Sequence, residues 1–264
     1  MTTTKTTILP HTPAVTSPSN LITIASGKGG VGKTWFAITL SHALAKAGKR
    51  VLLFDGDLGL ANVDIQLGLM PKRDLGNVIG GHHALSEVVT PFREGGFDVI
   101  AGKSGSGTLA TLARSRLIAL RKELESMAKR YDQVVLDLGA GLDAGVTVMA
   151  ENNGVTLVIV TDEPTALTDA YAYIKVSTMQ TPDADIRIVV NQAGNRAEGE
   201  RTYGTLLRAC ENFLKVSPPL AGIVRRDPRV RDAIRHQTAF LNRHPNGEAA
   251  EDVGMIVGAL RKGR

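Results

Sequence analysis

The sequence predicts a doubly wound α/β fold, a mostly parallel sheet with helices on both faces, and three observations carry that reading. Short continuous apolar runs recur along the chain, as strands buried on both faces require. Segments with apolar residues at helical spacing separate them. A glycine-rich stretch, residues 26–34, joins the first apolar run to the first helical segment, and open α/β sheets bind ligands at such carboxyl ends of strands.

Taken in order, residues 21–25 form the first strand and residues 35–47 the first helix. Strands follow at residues 51–54, 97–101, 133–137, 155–160, 186–190 and 220–224. Residues 71–90 are a connection with one short helix, and the Gly/Ser loop at 102–107 lacks a Gly-Lys-Thr ending, so it is not a second phosphate site. Leu117, Leu120, Leu124 and Met127 share one face of a helix over 114–130. Thr165 or Thr168 caps the helix that follows the strand at 155–160, and residues 197–215 form another helix. Val253, Ile256, Val257 and Leu260 line one face of a last helix within 247–264, explained by burial on the domain. Residues 1–20, with seven threonines and no acidic residue, form a flexible tail, leaving 21–264 as the single domain.

The loop Ser26-Gly27-Lys28-Gly29-Gly30-Val31-Gly32-Lys33-Thr34 has the composition of a phosphate cradle. Its glycines free backbone N–H groups to wrap an anion, and the following helix adds positive charge at its N-terminus. Lys33 neutralises the outer phosphates, and Thr34 offers its hydroxyl to Mg²⁺. Asp55, Asp57 and Asp64 cluster after the second strand, where one carboxylate can orient a water for in-line attack and another can hold Mg²⁺-bound waters. Asp137 ends its strand where a second magnesium carboxylate belongs, and the amide of Gly139 can report a terminal phosphate. Asn191 can read an adenine edge with one donor and one acceptor. His82-His83 has no nearby third ligand and reads as exposed loop.

The early lysine, Lys28, makes the loop resemble the deviant Walker A motif of the MinD/ParA family. That resemblance implies an ATPase that binds ATP/ADP and Mg²⁺ and dimerises around ATP. Lys28 then reaches the partner chain's phosphates, so that Lys28, Lys33 and Asp57 are the catalytic set, with Asp57 orienting the water. The nucleotide would be held by Gly27, Lys28, Gly29, Gly30, Val31, Gly32, Lys33, Thr34, Gly139, Glu163 and Asn191, and the metal by Thr34, Asp55 and Asp137. Residues 55–64 are similar to the family's switch I and residues 137–141 to its switch II. Residues 225–233 resemble its adenine-side loop without the usual proline. Thr161-Asp162-Glu163-Pro164-Thr165-Ala166-Leu167-Thr168-Asp169-Ala170-Tyr171 resembles the corresponding stretch of MinD and especially of the FlhG (FleN) branch, which controls flagellar number and placement. That branch implies a flagellar assembly protein or an FlhF-type GTPase as partner, although the tail shows no Asp-Gln-Ala activation motif.

Composition bounds the alternatives. A chain of 264 residues with 43% apolar content suits one large α/β domain. One cysteine, Cys210, excludes a disulfide framework and disfavours an iron protein that bridges a cluster with two cysteines per chain. No membrane-spanning run or secretory signal is present, so a cytoplasmic location is expected, with the inner membrane surface or cell pole as peripheral sites. Nine Lys/Arg against five Asp/Glu over residues 221–264 suit a solvated face, a lipid surface, an acidic partner or nucleic acid. The rivals are therefore a ParA-type ATPase carried on nonspecific DNA by Arg225, Arg226, Arg229, Arg231, Arg235 and Arg243, and a MinD-type division regulator held to the membrane by its last helix. A nucleotide-dependent scaffold with negligible hydrolysis is the remaining class.

Overall fold

Continuous β-branched and leucine runs with no polar alternation have to be covered on both faces, and one sheet of eight strands does this. In the computed structural model, which describes residues 20–262 apart from Leu58, residues 103–111 and Asn153, with side chains as far as Leu260, the strands are β1 (Leu21–Ser26), β2 (Val51–Gly56), β3 (Thr90–Phe92), β4 (Phe97–Ile100), β5 (Gln133–Ala140), β6 (Val155–Val160), β7 (Asp185–Ala193) and β8 (Leu220–Arg225). Their spatial order is β3-β4-β2-β5-β1-β6-β7-β8, parallel throughout except for β3 against β4. The tail before Asn20 and nearly all of the Gly/Ser loop after Gly102 lie outside the described residues.

The helices are α1 (Lys33–Lys46), α2 (Val63–Leu67), α3 (Leu75–Ile79), α4 (Arg114–Ala128), α5 (Ala144–Ala150), α6 (Pro164–Gln180), α7 (Arg196–Ala209), α8 (Arg229–Arg235), α9 (Phe240–Arg243) and α10 (Glu248–Lys262). The chain steps from β1 toward β2 in one direction and from β5 through β6, β7 and β8 in the other. Right-handed crossovers then place α1 on one face and α5, α6 and α7 on the opposite one, with the reversal of direction opening a crevice at the carboxyl ends of the central strands. The core follows: Phe36, Leu40, Leu52, Phe54, Val135 and Ile159 are all fully or almost fully buried.

Three local features differ from expectation. β3 is a three-residue edge strand carrying Pro91, too short for an alternating pattern and tolerable only because an edge strand can lack one N–H bond. Neither Thr165 nor Thr168 caps α6: Glu163 occupies the cap position without a side-chain bond, Pro164 starts the helix, and Thr168 Oγ1 donates back to Pro164 O at 3.0 Å. Proline at the first helical position removes one unpartnered N–H and presets φ, although the N–H groups of Thr165 and Ala166 receive no side-chain cap. The helix over α7 ends in a π turn, Cys210–Leu214, closed by Lys215 in the left-handed region.

The last helix is part of the domain. Val253, Ile256 and Val257 are buried, and α10 packs on β8 and α1. At its first turns the fully buried Asp252 accepts bonds from the backbone N–H and guanidinium of Arg225 and from Arg196 Nη2 at 2.9 Å. Removing Asp252 leaves the Arg225 backbone N–H without its buried acceptor, although the guanidinium keeps Glu248 and Glu251. Asp252→Ala is therefore expected to lower the unfolding free energy by about 3 kcal/mol in urea titrations, and a loss below about 1 kcal/mol would show that the network does not anchor α10.

Candidate active site

β1 delivers the chain to Ser26, and α1 begins at Lys33, so the six intervening residues must turn through the crevice. Two glycines are sterically required there. A Cβ on Gly27 would lie 2.1 Å from the Asp169 carbonyl oxygen, because the first turns of α6 press on the loop. Gly32 has φ 92°, and a Cβ on it would lie 2.5 Å from Asn191 Nδ2. Asn191 itself is buried at the end of β7 and donates to the Val31 carbonyl at 2.8 Å, tying the loop to the sheet. Any reading of an adenine by Asn191 is left with its oxygen and its second N–H.

Lys33 is buried, its Nζ donating to Ser26 Oγ at 2.9 Å, while Ser26 Oγ donates to Lys28 O at 2.6 Å. Burial lowers the Lys33 pKa, opposed by the charges of Asp137 and then Asp57. The ammonium thus sits dehydrated at the floor of a cleft of 510 Å³, bordered by Gly29, Thr34, Asp57, Asn62 and Gly139.

The carboxylates meet across the strands. Asp55 on β2 is the register partner of Asp137 on β5, and both are almost completely buried. Neither carboxyl oxygen of Asp137 has a hydrogen-bond partner among the described residues. Burial first, then the neighbouring Asp137 charge, raises the Asp55 pKa to about 8. Burial likewise raises Asp137 to about 7, against the pull of the Thr34 hydroxyl and Lys33 ammonium. Two buried acids, one of them with both oxygens orphaned, beside a threonine hydroxyl are an oxygen donor set that suits a hard divalent cation such as Mg²⁺. No group of three or more His, Cys, Asp or Glu gathers to hold a metal among the described residues, so His82-His83 gains no third ligand, and a cation at Asp55 and Asp137 would complete its shell with water and phosphate.

Asp55 does more than its strand-end position suggested. Its Oδ2 accepts the N–H groups of Asn62 and Val63, each at 3.1 Å, and so closes the start of α2. Asp57 Oδ1 accepts from Gly59 at 3.2 Å and Leu60 at 2.9 Å, and a Cβ on Gly139 would lie 3.3 Å from that oxygen. Asp57 and the end of β5 therefore lie against each other at the cleft. Lys28 points outward, where its Nζ binds Glu163 and donates to Thr165 Oγ1 at 2.7 Å. The structure thus brings Lys28 and Glu163 together within one chain.

Residues 22–240 match the CobQ/CobB/MinD/ParA nucleotide-binding domain. The chain belongs to that family. It is 35% identical to the antiactivator FleN of Pseudomonas aeruginosa over 88% of this chain and 83% of that protein. It is 27% identical to the flagellum site-determining protein YlxH of Helicobacter pylori over 92% of this chain and 82% of that one. The cell-division ATPase MinD of Pyrococcus furiosus superposes with a TM-score of 0.78 over 94% of this chain and 100% of its own, at 23% identity, which shows the shared fold.

The buried acid pair of this chain is only partly offset by Lys33, the Thr34 hydroxyl and backbone N–H groups, and this sets a pH dependence. Asp55 and Asp137 hold protons to higher pH folded than unfolded, so they contribute stability that is complete below the ordinary carboxylate range and lost as pH rises toward about 8. His42 has the opposite sign: burial, then Lys46, lowers its pKa to about 4, so its penalty is confined below the ordinary value of 6.5. Above pH 6.5 the histidine no longer contributes, while Lys33, whose pKa burial lowers, acts against the acids toward alkaline pH. In chelator and without nucleotide, unfolding free energy is expected to fall between pH 6.5 and about 8, with Asp137→Asn flattening the fall in urea titrations. A slope unchanged by that substitution would contradict the buried-acid assignment.

Proposed function

We propose that the protein is an ATP-hydrolysing, ATP-dimerising regulator that controls the number and placement of bacterial flagella. The observation that carries the flagellar part is the 35% identity to FleN across most of both chains; YlxH, a second flagellar relative by name, points the same way. The site supports the ATPase part. Loop amides of residues 27–34 and the start of α1 bind the phosphates, with Lys33 held beneath them by Ser26. Thr34, Asp55 and Asp137 would hold Mg²⁺, which would offset the acid pair and draw charge from the outer phosphates. Asp57 orients the attacking water opposite Gly139, whose amide senses the terminal phosphate.

Hydrolysis is slow until a partner acts. Asp57 is engaged with the Gly59 and Leu60 N–H groups, and Lys28 is engaged with Glu163 rather than with the cleft. Dimerisation on ATP moves Lys28 from Glu163 to the partner's phosphates, Glu163 then approaches the partner's nucleotide, and Asn191 borders the adenine. A flagellar assembly protein or an FlhF-type GTPase is the target, at the inner face of the membrane or the cell pole. No helix among the described residues is long and apolar enough to cross a membrane.

The other partner classes fit less well. Of the six arginines offered to DNA, Arg225, Arg229 and Arg243 are bound to Asp252, Asp227 and Asp232. The apolar stripe that would hold a membrane lies against β8 and α1. The test combines turnover with cell counts. Asp57→Ala is expected to lower ATP turnover at least about tenfold while nucleotide binding persists, and cells carrying only that variant are expected to show an altered number of flagella per cell by electron microscopy. Normal counts in cells lacking the protein altogether would remove the flagellar assignment and leave the ATPase.

A further inference from the structure

Beside the nucleotide cleft, α2 and α8 form a joint that the ATPase chemistry does not use. α2 ends at Gly68 in the left-handed region, φ 62°, where a Cβ would stand 3.2 Å from the Cβ of Gln237. Gln237 Nε2 in turn donates to the Ile65 carbonyl at 3.0 Å. Across this joint three large apolar side chains face solvent: Ile65 is 52% exposed, Met70 94% and Ile234 36%. One such residue is ordinary, but three on or beside two helices that pack on each other mark a candidate contact face.

The rim is mainly cationic, with Asp64 beside Ile65 as an exception. Lys72 follows Met70 by two residues, and Arg231 and Arg235 flank Ile234 on α8. All three are exposed and enter no ion pair among the described residues, whereas their neighbours Arg229 and Arg243 are neutralised by Asp227 and Asp232. An apolar centre with unpaired positive charge around it complements a helix that carries an apolar stripe between acidic flanks. Nucleic acid would use the cations but has no contact to make with Ile65 and Met70. A bilayer is engaged by a long amphipathic face, and α2 and α8 have five and seven residues.

The patch is also wired to the cleft. Asp55 accepts the N–H groups of Asn62 and Val63 at the start of α2, and the next residues of α2 diverge, Gln66 bordering the cleft and Ile65 facing out. Ile234 borders the cleft as well. We propose that the α2–α8 face docks an acidic amphipathic helix of another protein, and that docking is coupled to the nucleotide through Asp55. Docking stands on the surface alone; the coupling rests on the proposed nucleotide site.

The probe is a fluorescent synthetic helix of about 18 residues, leucines at i, i+3, i+4 and i+7 and glutamates beside them, titrated by anisotropy into the full chain without nucleotide, with ADP·Mg²⁺ and with ATP·Mg²⁺. Binding is expected to weaken at least about tenfold in Ile65→Ser/Met70→Ser and in Lys72→Glu/Arg235→Glu, and to change with nucleotide. Circular dichroism and nucleotide binding like the parent's establish that the variants are folded. Absence of binding in every state, or binding that survives Ile65→Ser/Met70→Ser, overturns the docking surface. So does Lys72- and Arg235-dependent binding of duplex DNA or phosphatidylglycerol vesicles where the peptide does not bind. Loss of ATP-driven mass doubling in Ile65→Ser/Met70→Ser would assign the face to the homodimer and overturn it too. Peptide binding equal in all nucleotide states overturns the coupling, and failure of the chain to bind ATP at all overturns the nucleotide reading while leaving the docking result intact.

Discussion

The structure is organised around two carboxylates buried side by side at the carboxyl edge of a parallel sheet. Asp55 and Asp137 occupy paired positions on β2 and β5, and Asp137 has no hydrogen-bond partner among the described residues. Burying like charges together is unfavourable unless something compensates them. Within the chain the nearest compensation is the Lys33 ammonium, itself pulled toward neutrality by burial. The site is therefore tuned for a divalent cation bound with a polyphosphate, because that pairing offsets acids, lysine and loop amides together.

The same constraint connects chemistry to shape. Asp55 is both a member of the buried acid pair and the acceptor that closes the start of α2, so a change in its charge environment reaches Asn62 and Val63 directly. Asp57 organises the intervening turn and faces Gly139. On the other rim Lys28 is parked on Glu163 and Thr165 at the start of α6, the helix whose Asp169 backbone presses on Gly27. The phosphate loop is thus gripped by α6 on one side and by Asn191 of β7 on the other. Exposed ion pairs such as Lys28–Glu163 contribute little stability, which makes this one easy to exchange for a phosphate.

Much of this was legible in the chain because the relevant spacing is local. The loop from Ser26 to Thr34, the apolar runs of the parallel strands and the strand-end acids each declare themselves within ten residues, and the buried stripe of α4 follows helical spacing. What escaped is non-local or too short to have a period. Lys28 meets Glu163 across 135 positions and Asn191 meets Val31 across 160, contacts no periodicity encodes. Asp55 closing α2 needs the turn in three dimensions. β3 has three residues, and α5 spans seven between a glycine-rich turn and an Asn pair, with no reading from pattern at all. The cap position of α6 falls on Glu163 rather than on a threonine, because the proline at the first helical position sets where the helix begins.

The central claim is that filling the acid pair with Mg²⁺ and ATP frees Lys28 to join two chains. Light scattering on the Asp57→Ala protein, which should retain ATP, measures this directly. A monomer mass with ADP, a doubled mass with ATP and Mg²⁺, and reversion to monomer when Lys28→Ala is added are expected. A mass indifferent to bound ATP, or doubling that survives Lys28→Ala, would contradict the mechanism.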